Sequence, residues 1–141
     1  MWIDVWWCNI SFYINYIELS NVPNRVVLEN LAKCDFVLDE LYSDALMAGL
    51  ATEAAYFGKP SIIGGYANFD SRIDDIPPSM YVEPSEIKSA IIKMIKDKEF
   101  RLDLGQKAKQ YVKNYRNPEA VTNRFLRIIN DDIPQEWFFD A

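Results

Sequence analysis

Between Asp35 and Gly65 the chain reads DFVLDELYSDALMAGLATEAAYFGKPSIIGG. Phe36, Val37 and Leu38 form an unbroken apolar run, the pattern of a short strand covered on both faces of a parallel sheet. ELYSDALMAG then reads as a loop, and LATEAAYF has helix-forming composition. Gly58 stands where a helix ends in a left-handed residue, with Pro60 close behind to prevent its continuation. SIIGG supplies a second short buried strand. Strand, loop, helix and strand in this order make one unit of an open, mostly parallel α/β sheet.

Upstream, NRVVLENLAKC places Val26, Val27, Asn30 and Leu31 at helical spacing after the breakers Asn21 and Pro23. Before that, Phe12, Ile14 and Tyr16 alternate with Tyr13, Asn15 and Ile17, which predicts a strand and extends the pattern to β-α-β-loop-α-β. The opening MWIDVWWCNISFYINYIEL has no basic region ahead of its apolar residues, so it does not read as a signal peptide. Asp4, Asn9, Asn15 and Glu18 interrupt it as a membrane span. Trp2, Trp6 and Trp7 have no role in this reading, and a chain opening on such residues is expected to begin inside a larger protein.

Downstream, Tyr66 to Pro78 reads as a loop and Tyr81-Val82 as one more short strand. Three helices follow. Pro84 suits a first turn, with Ile87, Ala90, Ile91, Met94 and Ile95 on one apolar face. Phe100, Leu104, Ala108, Tyr111, Val112 and Tyr115 trace the second. Asn117, with Pro118 behind it, caps a third helix whose face is Val121, Phe125, Ile128 and Ile129. The tail then places Trp137, Phe138 and Phe139 after Pro134, aromatics that want a surface to cover in this chain or a partner.

The chain has 141 residues, half of them hydrophobic, and a net charge of -6. That length fits one domain, residues 1–141, with enough core to fold without disulfide or metal. It has no histidine, which excludes Ser-His-Asp and Cys-His nucleophile systems and His-ligated zinc for this chain acting alone. The acidic balance argues against nucleic acid as a partner. Of 15 basic and 21 acidic residues, 4 basic and 12 acidic precede Pro84, so the acidic chemistry sits in the first part and the lysine-rich helices read as solvated. Cys8 and Cys34 form no CxxC, and reduced thiols in a cytoplasmic protein are expected.

A loop between a buried strand and a helix is the crevice where doubly wound sheets bind ligands. A helix starting near Gly49 to Ala51 points backbone amides and the positive end of its dipole there, and glycine admits an anionic group close to the backbone. Gly49 reads equally well as a turn residue. Glu53, placed in the first helical turn, is either a ligand for a ribose diol or a carboxylate favoured by the helix N-terminus. Asp39, Glu40 and Asp44 are solvated loop charges or ligands for a hard cation. They lack regular ligand spacing, so neither a metal nor a cofactor is assigned.

The same 31 residues resemble the donor-binding heart of GT-B glycosyltransferases, in particular the retaining enzymes of glycosyltransferase family 4. In that family an apolar strand runs into an acidic or polar loop, a Gly-containing turn, a helix with a Glu-Ala pair, and GKP before a hydrophobic strand. Here these are Phe36 to Leu38, Asp39 to Asp44, Gly49-Leu50, Glu53-Ala54 and Gly58-Lys59-Pro60 before Ser61-Ile62-Ile63. The order of the three later helices and the IPQEW tail is similar too, so the resemblance covers nearly everything after Asn21.

The resemblance implies half of a GT-B fold: a partial Rossmann-like open parallel sheet flanked by helices, with a helical C-terminal part. It implies that Glu53 holds the nucleotide ribose and that the amides of Gly49, Leu50, Ala51 and Thr52 hold the donor diphosphate. The family's acidic residue eight positions before that Glu touches the donor sugar, and this chain has Ala45 there; Asp44 takes the role if the loop is one residue longer. The implied function is the donor-binding part of a hexosyltransferase in cell-surface glycan synthesis, inactive in isolation. Its implied partners are a nucleotide-diphosphate sugar and the missing N-terminal acceptor domain or a partner subunit. Peripheral membrane association of the complete enzyme and a homo-oligomer are compatible with it. Two alternatives stay open: a non-catalytic interaction module of the same fold and a sugar-nucleotide epimerase fragment.

Overall fold

The structure, a computed structural model, describes residues 2–4, 13–42, 46–65 and 76–134. Near the N-terminus, β1 (Trp2–Asp4) and β2 (Tyr13–Asn15) pair antiparallel, and α1 (Asn24–Leu31) follows. The central sheet consists of β3 (Val37–Asp39), β4 (Ser61–Gly64) and β5 (Met80–Val82), parallel and in that order. The crossover from β3 to β4 contains α2 (Gly49–Tyr56), as parallel neighbours require. A 3₁₀ turn at Pro84–Glu86 leads into α3 (Ile87–Lys96), α4 (Lys98–Tyr115) and α5 (Pro118–Ile129).

All four residues of β4 are buried, which explains the unbroken apolar run. Ile62 packs with Ala90 and Met94 of α3, and Phe36, Leu38 and Leu104 close around them. Ile63 points to the other face, where it meets Met47, Ala51 and Ala55 together with Ala108 and Val112 of α4. Ala54 turns instead toward Leu31 and Val37, so α2 lies between α1 and α4. Arg101, with 13% of its side chain exposed, hydrogen bonds the Met94 carbonyl and reaches Asp35 at 3.2 Å, tying α4 to the entry of β3.

The Gly58-Lys59-Pro60 turn has a structural reason in its backbone. Gly58 adopts φ +73°; its N–H donates to the Ala55 carbonyl at 2.8 Å, and the Lys59 N–H donates to Ala54 at 3.0 Å. These bonds form a Schellman cap at the end of α2. Helix α4 crosses directly over this turn. A Cβ on Gly105 would lie 2.2 Å from the Gly58 carbonyl oxygen and 3.1 Å from Pro60, so only glycine permits the crossing.

One expectation needs correction. The predicted N-terminal strand is present as β2, but it pairs antiparallel with β1 and stands outside the parallel sheet. Alternating apolar residues favour a strand without naming its neighbour. The third helix forms where its cap predicts, with the Asn117 side chain accepting from the Ala120 N–H at 2.8 Å. Its apolar face does not pack: Val121, Phe125, Ile128 and Ile129 are all exposed, Phe125 at 62% and Ile129 at 72%.

Gly105→Ala is expected to destabilise the fold by about 1–3 kcal/mol through overpacking against the Gly58 backbone, read as a lower urea midpoint in circular dichroism. Gly49 has nothing within 4 Å of a built Cβ. Gly49→Ala is therefore expected to be neutral or to stabilise by up to about 1 kcal/mol through helix propensity. Equal destabilisation by the two variants would remove the close-crossing argument.

Candidate functional site

Asp39 is the last residue of β3 and Gly64 the last of β4, so the chain segments after them form the carboxyl edge of the sheet. The chain leaves β3 through Glu40 in a left-handed conformation, φ +42°. Leu41 then lies directly against Gly64, whose Cβ, if present, would be 2.3 Å from the Leu41 carbonyl oxygen. Strain of this kind persists only where surrounding packing imposes it, and the Gly64 contact does so here. Asp44, the expected sugar-side carboxylate, lies with Ser43 and Ala45 outside the described residues.

Helix α2 starts without a capping side chain of its own, because Ala48 occupies the N-cap. Asp39 takes that part from the neighbouring strand: its Oδ2 accepts from the Ala51 N–H at 3.0 Å in a buried environment. The bond matches an N-cap carboxylate meeting the third helical amide, supplied from 12 residues away. Burial raises the Asp39 pKa above the ordinary carboxylate value, the Ala51 hydrogen bond opposes that rise, and the charge of Glu40 adds to it.

The predicted diphosphate amides therefore differ from one another. The Ala51 N–H is engaged by Asp39, and the Thr52 N–H donates to the Ala48 carbonyl at 2.9 Å. Gly49 and Leu50, ahead of them, are outside this pair of bonds. Gly49 is exposed with open space beside it, whereas the Leu50 side chain turns into the cluster of Leu31, Val37 and Ala54.

Arg116, just past α4, was not legible as a site residue. Its Nη1 donates to the Met47 carbonyl at 3.0 Å and to the Thr52 hydroxyl at 2.8 Å, while that hydroxyl donates to the Ala48 carbonyl at 2.7 Å. A guanidinium thus stands beside the first turn of α2, bridging 69 residues of sequence to Met47. Tyr81, whose hydroxyl donates to the Pro77 carbonyl at 2.8 Å, packs against the same core cluster as Met47. No sequence signal marks Arg116. For Asp39 there was one: a helix opening on Ala48-Gly49 lacks a local cap, and an acidic residue ends the preceding strand.

Glu53 is the fifth residue of α2 and lies past its first turn, contrary to the sequence reading. The Asn24 side chain at the start of α1 donates to Glu53 Oε1 at 3.2 Å, so this carboxylate faces α1. Among the described residues, no group of three or more His, Cys, Asp and Glu is placed to hold a metal. Among them, too, no helix is long and apolar enough to cross a membrane. The Cys34 thiol donates to the Leu31 carbonyl at 3.3 Å, and burial pushes its pKa up.

The architecture is an α/β fold with a three-stranded parallel sheet flanked by helices, consistent with a partial Rossmann-like fold. No family model, curated protein or solved structure matches the chain.

The raised pKa of Asp39 has a defined sign in stability. A carboxyl with a higher pKa folded than unfolded favours the folded state while protonated, and this contribution fades as pH rises from the ordinary value of 3.8 through the raised one. Asp39→Asn keeps an oxygen for the Ala51 N–H without acquiring charge. Urea unfolding is expected to give similar stabilities for the two proteins near pH 3, with the variant gaining on the wild type as pH rises to 7. A difference independent of pH would contradict this assignment.

Proposed function

We propose that this chain is the donor-binding part of a retaining GT-B glycosyltransferase, holding a nucleotide-diphosphate sugar at the start of α2. The observation that carries the reading is Gly49, the first residue of α2: exposed, with nothing within 4 Å of a built Cβ, at the carboxyl edge of a parallel sheet. A diphosphate approaching there meets the N-terminal end of the α2 dipole and the Gly49 and Leu50 amides ahead of the one that Asp39 engages. Arg116 beside Thr52 adds a nearby positive charge. Glu53, one turn further along, has a carboxylate suited to a ribose diol, with Asn24 as its present partner. Asp44 remains the proposed sugar contact.

The chemistry of transfer then belongs to a larger assembly. Glycosyl transfer needs acceptor and donor aligned and the leaving diphosphate stabilised. This chain supplies helix amides and Arg116 for the second task, with Glu53 holding the ribose, and an acceptor domain or partner subunit supplies the first. In this reading the complete enzyme is cytoplasmic, builds cell-surface glycans, and associates peripherally with the membrane or with further copies of itself.

A second reading, a non-catalytic interaction module of the same fold, is favoured by two observations. Asp39 already fills the Ala51 amide with a carboxylate, and the apolar face of α5 is open.

Calorimetric titration with UDP- and GDP-sugars separates the two. Under the donor reading one series binds, and Glu53→Ala weakens it at least about tenfold, or 1.4 kcal/mol. Absence of binding by the chain together with its acceptor half, or equal binding after Glu53→Ala, would sink the donor-site assignment and leave the interaction module.

A further inference from the structure

Asn24 and Glu53 meet because their two helices share one apolar seam. Along α1, Val27, Leu28 and Leu31 follow Asn24 at i+3, i+4 and i+7, so Asn24 heads the same face. That face packs on Leu50 and Ala54 of α2. Glu53 is half-buried at the border of the seam, at i+3 from Leu50 and next to Ala54. Asn24 Nδ2 donates to its Oε1 at 3.2 Å. A carboxylate only accepts, so the amide nitrogen faces it. Among the described residues, Glu53 Oε2 has no partner.

This arrangement orients the carboxylate along α2. Glu53 follows Gly49 by one helical turn, so the two share a side of the helix with about 6 Å of rise between them. A nucleoside diphosphate lying along that side brings its ribose to Glu53 when its phosphates reach Gly49. An unrestrained glutamate on a helix surface samples many rotamers, and a ligand that binds one of them must order it at a cost in affinity. Asn24 lowers that cost by holding one oxygen and leaving the other open to a hydroxyl. It carries no charge, so it orients Glu53 without neutralising it.

We propose that Asn24 is a positioning residue: it sets Glu53 to accept from the ribose 2′-hydroxyl, and so gives the site a preference for ribonucleotides over their 2′-deoxy forms. The inference rests on the donor reading above and adds to it a residue from α1.

Calorimetric titration of the full chain with UDP and GDP, each beside its 2′-deoxy form, tests it. The wild type is expected to bind the ribose form at least about tenfold more tightly, as a hydrogen bond to a charged acceptor implies. Asn24→Asp keeps the shape of the side chain, removes the donor and sets a second negative charge against Glu53. An acidic residue in the first turn favours a helix, so this variant is expected to keep α1 folded, which circular dichroism checks. The readout is the ratio of ribose to deoxyribose affinity, because a general loss of stability or an added charge weakens both forms alike. Asn24→Asp and Asn24→Ala are both expected to cut that ratio to about threefold or less. A ratio that keeps its wild-type value in both variants but collapses in Glu53→Ala overturns the role of Asn24 and leaves the donor reading standing. A ratio near one in the wild type also overturns it, and absence of binding by the wild type overturns both.

Discussion

The hydrogen bond from the Ala51 amide to the Asp39 carboxylate joins the end of β3 to the start of α2, and much of the domain is arranged around that junction. Ala48 has no capping side chain, so without Asp39 a buried helical amide would lack its partner, a loss worth about 1–3 kcal/mol for a group out of water. The carboxylate is equally dependent, because burial disfavours its charge and the amide partly compensates. Once the helix start is pinned, Ala51 and Ala55 meet α4 while Ala54 meets Leu31 and Val37. The junction therefore positions both neighbours of α2.

Small residues set the distances on the other side of that helix. The Schellman cap at Gly58 ends α2, and Gly105 lets α4 cross the Gly58 carbonyl closely enough to bury Ala108 and Val112. The Gly-Lys-Pro segment thus has a sufficient structural reason in helix termination and close crossing. Its presence supports the fold more directly than it supports ligand binding. Gly49 is the contrasting case: no packing requires glycine there, which is why it bears on a ligand at all.

Sequence legibility followed the range of the interactions involved. The strands at Val37–Asp39 and Ser61–Gly64, the helix between them, the Gly58 terminus and the Asn117 cap were all readable, since each is governed by residues within a few positions. The site was readable only in outline. Gly49 and the start of α2 fell where expected, but Glu53 lies a turn later and faces Asn24, and Arg116 arrives from the far end of α4. Periodicity identified the α5 stripe as apolar, and only the structure shows it exposed, because the pattern is the same on a covered face and on an open one.

What the amino-acid order determined by itself was local: where strands and helices begin and end, which faces are apolar, and that histidine chemistry is excluded. These follow from backbone preferences and from contacts within about one helical turn. Tertiary structure alone decided which strand β2 joined, that Asp39 caps α2 from 12 residues away, and that Arg116 reaches Met47 across 69. The reason is physical. A hydrogen-bonding group has many partners of adequate chemistry along a chain, and only packing selects the one within 3 Å.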